Sequence, residues 1–202
     1  TALRLDRVDI YAYDGRDLKL SKRIPLAKLP SHMAFSADSK TAFITEQGSD
    51  QVSAIDLATQ AVKWTMPVGK LPAGITMTAD GKYLLVGIMG SDYIEVIDWR
   101  AQKTVKKIKA GEGTHNFLSM GDKRHTFVSN RISNTINIID QQTLTNVGTI
   151  NVPGGPDCME LSDDGKTLWV TLRWIQKVAV IDVASKKVIK TIRVGRSPHG
   201  VY

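Results

Sequence analysis

GKLPAGITMTADGKYLLVGIMGSDYIEVIDWRAQKTVKKIKA, Gly69 to Ala110, is the stretch whose reading decides the fold. It contains four short runs of β-forming residues, AGITMT, YLLVG, YIEVID and TVKKIKA. They are separated by an Asp-Gly turn, a Gly-Ser-Asp turn and a polar loop after Asp98. The same phrase is written along the whole chain. Asp14, Asp56, Asp98, Asp140 and Asp182 stand at a constant period of 42 residues, and Ile55, Ile97, Ile139 and Ile181 precede the last four. Pro30, Pro72, Pro156 and Pro198 keep that period, with Thr114 substituting once, and so do Asp38, Asp80, Asp122 and Asp164.

A repeat of about 40 to 45 residues with four antiparallel strands is the period of a β-propeller blade, each sheet buried on both faces by its neighbours. The expected fold is therefore all-β: a single propeller domain over residues 1–202, with about five blades' worth of chain. Burial on both faces explains why YLLVG and VAVID are nearly continuous in apolar residues instead of alternating. The repeated Asp is read as turn chemistry, a carboxylate accepting backbone N–H groups, and not as a catalytic column.

Composition narrows the classes. With 42% hydrophobic and 23% charged residues, the 202-residue chain has the make-up of an ordinary globular domain, neither disordered nor membrane-spanning. No apolar run reaches the roughly 20 residues of a transmembrane helix, and TALRLDRVDI lacks the layout of a signal peptide. Cys158 is alone, which excludes an intramolecular disulfide, a Cys-rich zinc site and a C-x-x-C-H haem attachment. No phosphate-binding loop, G-x-G-x-x-G entry or Ser-His-Asp arrangement is present, so the reading is of a protein that is not an enzyme.

LPAGITMTADGKYLLVG, THNFLSMGDKRHTFVSN, PDCMELSDDGKTLWVT and IDVASKKVIKTIRVGRSPHG together resemble the YVTN-type propeller repeats of YncE-like and cytochrome d1-like proteins. The resemblance implies a ring usually of seven or eight blades, a periplasmic or cell-surface location, and, from the d1-like members, a haem-type tetrapyrrole as a possible cofactor. The missing Gly-His and Trp-Asp signatures set the chain apart from WD40 repeats.

Two ring closures are open at this point. The closing HGVY can supply the inner strand of the first blade and complete five blades, or the chain can be a piece of a longer propeller. Family ring size and a Tyr202 that falls mid-strand favour the second.

Calling the four strands of a repeat a to d, the b–c turns and the d–a links emerge on one face. Residues just after the repeated Pro border the channel mouth there: Ser31, Ala73, His115, Asp157 and His199. The b–c turns add Glu46, Gln47, Met89, Asn130, Arg131, Arg173 and Trp174. The copies differ from one another at these positions, so this face carries the candidate ligand site: His115, Asp157, His199, Arg131, Arg173, Trp174 and Ser31.

His115 and His199 are candidate iron ligands, against the plainer reading that each imidazole binds loop backbone. They are badly spaced for one bare zinc ion, which wants every ligand at about 2.0 Å. Arg131 and Arg173 share a column and can clamp a carboxylate or phosphate against Trp174, or be solvated turn residues. His32 lies one column off and His125 on the other face, so neither joins the set.

The net charge of +7 permits nucleic acid as a partner without pointing to it. Lys22, Arg23, Lys106, Lys107, Lys109, Lys190 and Arg193 all fall in strand d, the outer rim, where Lys blunts exposed edges, and no aromatics are interleaved for base stacking. Three functions follow in order: a non-catalytic extracytoplasmic binding or scaffold propeller for an unknown small ligand or protein partner, a d1-haem-type tetrapyrrole-binding or delivery protein, and a polyanion-binding surface protein.

Overall fold

A computed structural model describes residues 1–201, and 18 strands account for nearly all of its regular structure. Strands β1 (Arg7–Tyr13) and β2 (Leu18–Pro25) form a two-stranded antiparallel sheet. Four four-stranded antiparallel sheets follow in chain order. Blade I is β3 (Pro30–Phe35), β4 (Thr41–Glu46), β5 (Gln51–Asp56) and β6 (Ala61–Pro67). Blade II is β7 (Pro72–Met77), β8 (Tyr83–Ile88), β9 (Tyr93–Asp98) and β10 (Lys103–Lys109). Blade III is β11 (Thr114–Ser119), β12 (His125–Asn130), β13 (Thr135–Asp140) and β14 (Thr145–Asn151). Blade IV is β15 (Pro156–Leu161), β16 (Thr167–Leu172), β17 (Lys177–Asp182) and β18 (Lys187–Arg193).

The 42-residue reading thus holds for four whole blades, and β1–β2 are strands c and d of a fifth. A short 3-10 turn, Leu3–Leu5, stands where strand b of that blade was expected. The less favoured closure, in which HGVY supplies an inner strand, finds no strand at residues 199–201, and Tyr202 lies outside the described residues. Among the described residues the sheets do not close into a ring.

Each apolar layer lies between two blades. Val8 and Ile24 pack on Ala42, Ile44 and Ile55 of blade I. Phe43, Val52 and Ala54, on the other face of blade I, meet Leu84, Val86 and Ile97 of blade II. Leu85, Ile94 and Val96 meet Val128 and Ile139 of blade III. Phe127, Ile136 and Ile150 meet Leu168, Val170 and Ile181 of blade IV. Successive residues of one run, Leu84 and Leu85, therefore serve two different layers, as the strand period of two requires. Each of the larger side chains contributes about 1.5–3 kcal/mol of burial, so the blades hold one another up.

The recurring carboxylates do what the turn reading demands. Asp56 Oδ1 accepts N–H bonds from Ala58 and Thr59, and Asp98, Asp140 and Asp182 repeat the pattern between strands c and d. Asp38, Asp80, Asp122 and Asp164 each accept the N–H two residues on. The strand-d rim is exposed, with five consecutive exposed residues from Lys103 to Lys107 in β10.

The inner strands carry the feature that shapes the site. In every blade the pairing of strand a with strand b shifts register just after the Pro column: between Pro30 and Met33, Pro72 and Ile75, Thr114 and Phe117, Pro156 and Met159. A hydroxyl from strand b fills the gap. Thr45 Oγ1 accepts the His32 N–H, Ser129 Oγ the Asn116 N–H and Thr171 Oγ1 the Cys158 N–H. The same hydroxyls donate onward, to the carbonyls of Ala73 in blade II, Asp157 in blade IV and His199 beyond it, 2.6, 2.8 and 2.8 Å away. Blade II has Gly87 in this column and makes no such bond; there Gly74 takes its place in the contact, its α-carbon so close to β11 that a Cβ would lie 2.1 Å from the His115 carbonyl.

Thr45→Val keeps the volume of a fully buried side chain while removing both bonds. It leaves the His32 N–H and the Ala73 carbonyl without this partner, and a loss of about 1–3 kcal/mol is expected from urea denaturation. An unchanged midpoint would mean that the hydroxyl column contributes nothing to joining the blades.

Candidate functional site

In each blade the register shift spans two consecutive residues, Ser31-His32, Ala73-Gly74, His115-Asn116 and Asp157-Cys158, and His199-Gly200 holds the same sequence position beyond blade IV. Strict strand alternation sends the second of each pair to the opposite side. A bulge does not, which is why the site is larger than the repeat columns predict.

The b–c turns are tied to the d–a links by backbone bonds in every blade, one of them at an equivalent position in all four. Gln47, Met89, Arg131 and Arg173 donate their N–H groups to the carbonyls of Leu29, Leu71, Gly113 and Gly155. Arg131 and Arg173 thereby occupy equivalent positions in blades III and IV, on either side of Asp157.

Asp157 is fully buried and is the centre of the cluster. Its Oδ1 accepts Arg131 Nη2 at 2.6 Å and Nε at 3.2 Å, and its Oδ2 accepts Arg173 Nη1 at 2.9 Å. His115 Nδ1 lies 2.9 Å from Oδ1, though without the angular geometry of a hydrogen bond. Burial works against ionisation of Asp157, but the His115 contact and the Arg131 charge hold its carboxyl well below the usual carboxylate range. Burial pushes the His115 imidazole towards its neutral form, opposed by Asp157 and assisted by Arg131.

The structure brings some of the sequence-predicted residues together and places others differently. His115, Asp157 and His199 do come together, the His115 and His199 rings lying 6.4 Å apart. His115, however, is only 3% exposed, so it is a buried member of an ion-pair network and not an open residue at a mouth. The carboxylate that Arg131 and Arg173 clamp is the protein's own. Trp174 is no wall behind them: it packs over Gly155 of the d–a link, where a Cβ would lie 2.5 Å from the indole. Ser31 sits at the edge, its Oγ accepting from Gln47 Nε2 and lying 3.1 Å from His32 Nδ1.

His32, left out by the column rule, belongs to the cluster: its ring stands edge-on to His115 at 5.1 Å. His125 was correctly set aside and pairs with Asp122 in an a–b turn. Cys158, noted in the sequence only for being alone, is buried with Sγ 3.9 Å from His199 Nδ1. The pairing of each Pro+1 residue with its successor, SH, HN, DC and HG, was the available signal.

The comparisons bear on this arrangement. A family model described as YNCE-like beta-propeller matches residues 1–202. The chain belongs to that family. No curated protein matches it. Among solved structures it is similar to Kuenenia stuttgartiensis Hydrazine Synthase, at 30% identity and a TM-score of 0.75, over 85% of this chain and 50% of that one. It is also similar to Dihydro-heme d1 dehydrogenase NirN in complex with DHE, at 19% identity and a TM-score of 0.72, over 96% of this chain and 44% of that one. The second likeness is one of fold. The chain spans about half the length of these structures.

Two expectations follow for the YNCE-like chain. Asp157→Asn removes the charge on which Arg131 and Arg173 converge, and stability should fall by about 3 kcal/mol, the low end for a broken buried pair because Arg173 is one-third exposed. Chemical denaturation against the parent chain measures it.

The second concerns pH. His32 has its pKa pushed down to about 4 from 6.5, first by burial and then by His115, His199 and Arg131, with Asp157 pulling the other way. The unfolded chain therefore takes up this proton before the folded one does. The stability is fully present above about pH 6.5 and is lost as pH falls towards 4. Urea midpoints across that window should decline in the parent and decline less in His32→Gln.

Proposed function

We propose that this YNCE-like chain is part of a non-catalytic, extracytoplasmic binding propeller, and that its axial face takes a small organic anion. The observation that carries this reading is the charge of the cluster. Two guanidinium groups meet one carboxylate, with His115 and His32 held towards their neutral forms by burial, so one positive charge is left over among Arg131, Arg173 and Asp157. Arg173 spends only Nη1 on Asp157 and is about one-third exposed, which leaves the rest of its fork free for a carboxylate or phosphate. Arg131 is more committed, with Nη1 against Met89 Sδ and its side chain 17% exposed.

Absence of catalysis is supported by Cys158, the one thiol beside an imidazole. Burial, and then Asp157, push its pKa up, the reverse of what activates a nucleophile. The extracytoplasmic location rests on the family resemblance. Among the described residues no helix is long and apolar enough to cross a membrane. The exposed lysines of strand d keep a polyanion surface as the weakest of the three readings.

A second reading, a tetrapyrrole-binding propeller, is favoured by the imidazoles along the axis and by the fold likeness to NirN. The donor set fits in part. His199 is exposed and offers a ring nitrogen, Arg173 suits a macrocycle carboxylate, and His115 is too buried to face a macrocycle. The bound group would supply iron chemistry, while this chain's residues would bind and orient it.

The test is thermal unfolding with succinate, and separately with inorganic phosphate. A site that binds only the folded chain stabilises it by about 2.7 kcal/mol at a ligand concentration a hundred times Kd. The midpoint should rise in the parent and rise far less in Arg173→Ala. No response to either anion, or an equal response in the variant, removes the anion reading. A haemin titration whose absorbance shift is lost in His199→Ala would select the tetrapyrrole instead.

A further inference from the structure

Cys158 Sγ, a His199 ring nitrogen and an Asp157 carboxylate oxygen lie within 4.8 Å of one another. Thiol, imidazole and carboxylate are the side chains that hold metal ions, and the pairing of sulfur with imidazole selects soft or borderline ones. An ion about 2.3 Å from sulfur and about 2.0 Å from nitrogen puts those donors at most roughly 4.3 Å apart. Cys158 Sγ and His199 Nδ1 are 3.9 Å apart, room for one ion held at a wide angle. The corner is not closed on itself. His115 Nδ1, buried beside Asp157, makes no hydrogen bond. Access is open from one side, because Cys158 is buried whereas His199 is exposed.

Charge decides which ion fits. With a neutral thiol, Asp157, Arg131 and Arg173 leave one positive charge in the cluster. A metal that binds the thiolate drives the Cys158 proton into solvent. A divalent ion would then add a second net positive charge beside two guanidiniums in a partly buried site. A monovalent ion exchanges for the proton and leaves the charge unchanged.

We propose that Cys158 and His199, backed by the Asp157 carboxylate, form a binding site for copper(I). The sulfur–copper bond replaces the S–H bond, the proton leaves to solvent, and no electron is transferred. His115 is a positioning residue here, touching Asp157 and not the ion. This goes beyond the anion reading and does not depend on it: succinate binding is lost with Arg173, and copper binding is lost with Cys158.

The experiment is an anaerobic titration of the whole chain with copper(I) in competition with bicinchoninate, followed by near-ultraviolet thiolate-to-copper absorption. About one equivalent should bind, and both Cys158→Ser and His199→Asn should lower the affinity by at least roughly a hundredfold. Zinc(II) should not displace the copper. X-ray absorption at the copper edge of the loaded parent, with sulfur in the copper shell, reads the same site without any variant, should Cys158→Ser fold badly. No binding, no sulfur in the copper shell, unaltered affinity in a folded Cys158→Ser, or displacement by stoichiometric zinc(II) would each overturn the proposal.

Discussion

A hydroxyl in strand b that accepts a bond from its own blade and donates one onward is the interaction on which this arrangement turns. Thr45, Ser129 and Thr171 sit where the inner strand slips register, and a slip there leaves an N–H with no partner across the ladder. Buried unpaired donors are costly, so the slip survives only because a side chain answers it. The same oxygen then reaches the neighbouring carbonyl and sets the spacing of the inner strands. Two residues per blade fall within the slip, and every member of the candidate site on the inner strands comes from such a pair.

What gathers on the axis is governed by Asp157. A carboxylate with no exposure stays ionised only where it is surrounded by donors, and two arginines from successive blades supply them. The b–c turns that carry those arginines are held by backbone bonds shared by all four blades, so the repeat provides the position and only the side chain is particular to the copy. His32 and His115 are held towards their neutral forms first by burial in the same crowded cluster, with the Arg131 charge adding to it.

The fold was legible because its signals are local and repeated. The Asp column marks turns by the elementary preference of a carboxylate for nearby N–H groups, and the 42-residue period needs no tertiary information. The site was legible by face and column, and illegible by depth. Nothing in THN distinguishes a His at an open mouth from one at 3% exposure, because that depends on what the next blade places opposite; here it places Asp157. His32 was missed because it lies one column after the repeated set, and the bulge that brings that column into the cluster leaves no mark in PSHMAF. Trp174 was read as a wall because it follows Arg173, yet the chain turns between them and the indole covers Gly155.

Blade II shows what the scaffold is without the site. Its pair at the slip is Ala73-Gly74 and its strand-b residue is Gly87, so it offers neither a charged group nor a hydroxyl. Those absences have a steric cause. Gly74 runs so near the His115 carbonyl that no side chain fits, and Gly87 faces Thr114 at a distance that a Cβ would shorten to 3.2 Å. With blades II and III drawn together there, His32 of blade I can reach across the small residues to the His115 ring. The blank copy therefore lies between His32 and His115, and those two rings meet across side chains that blade II does not have.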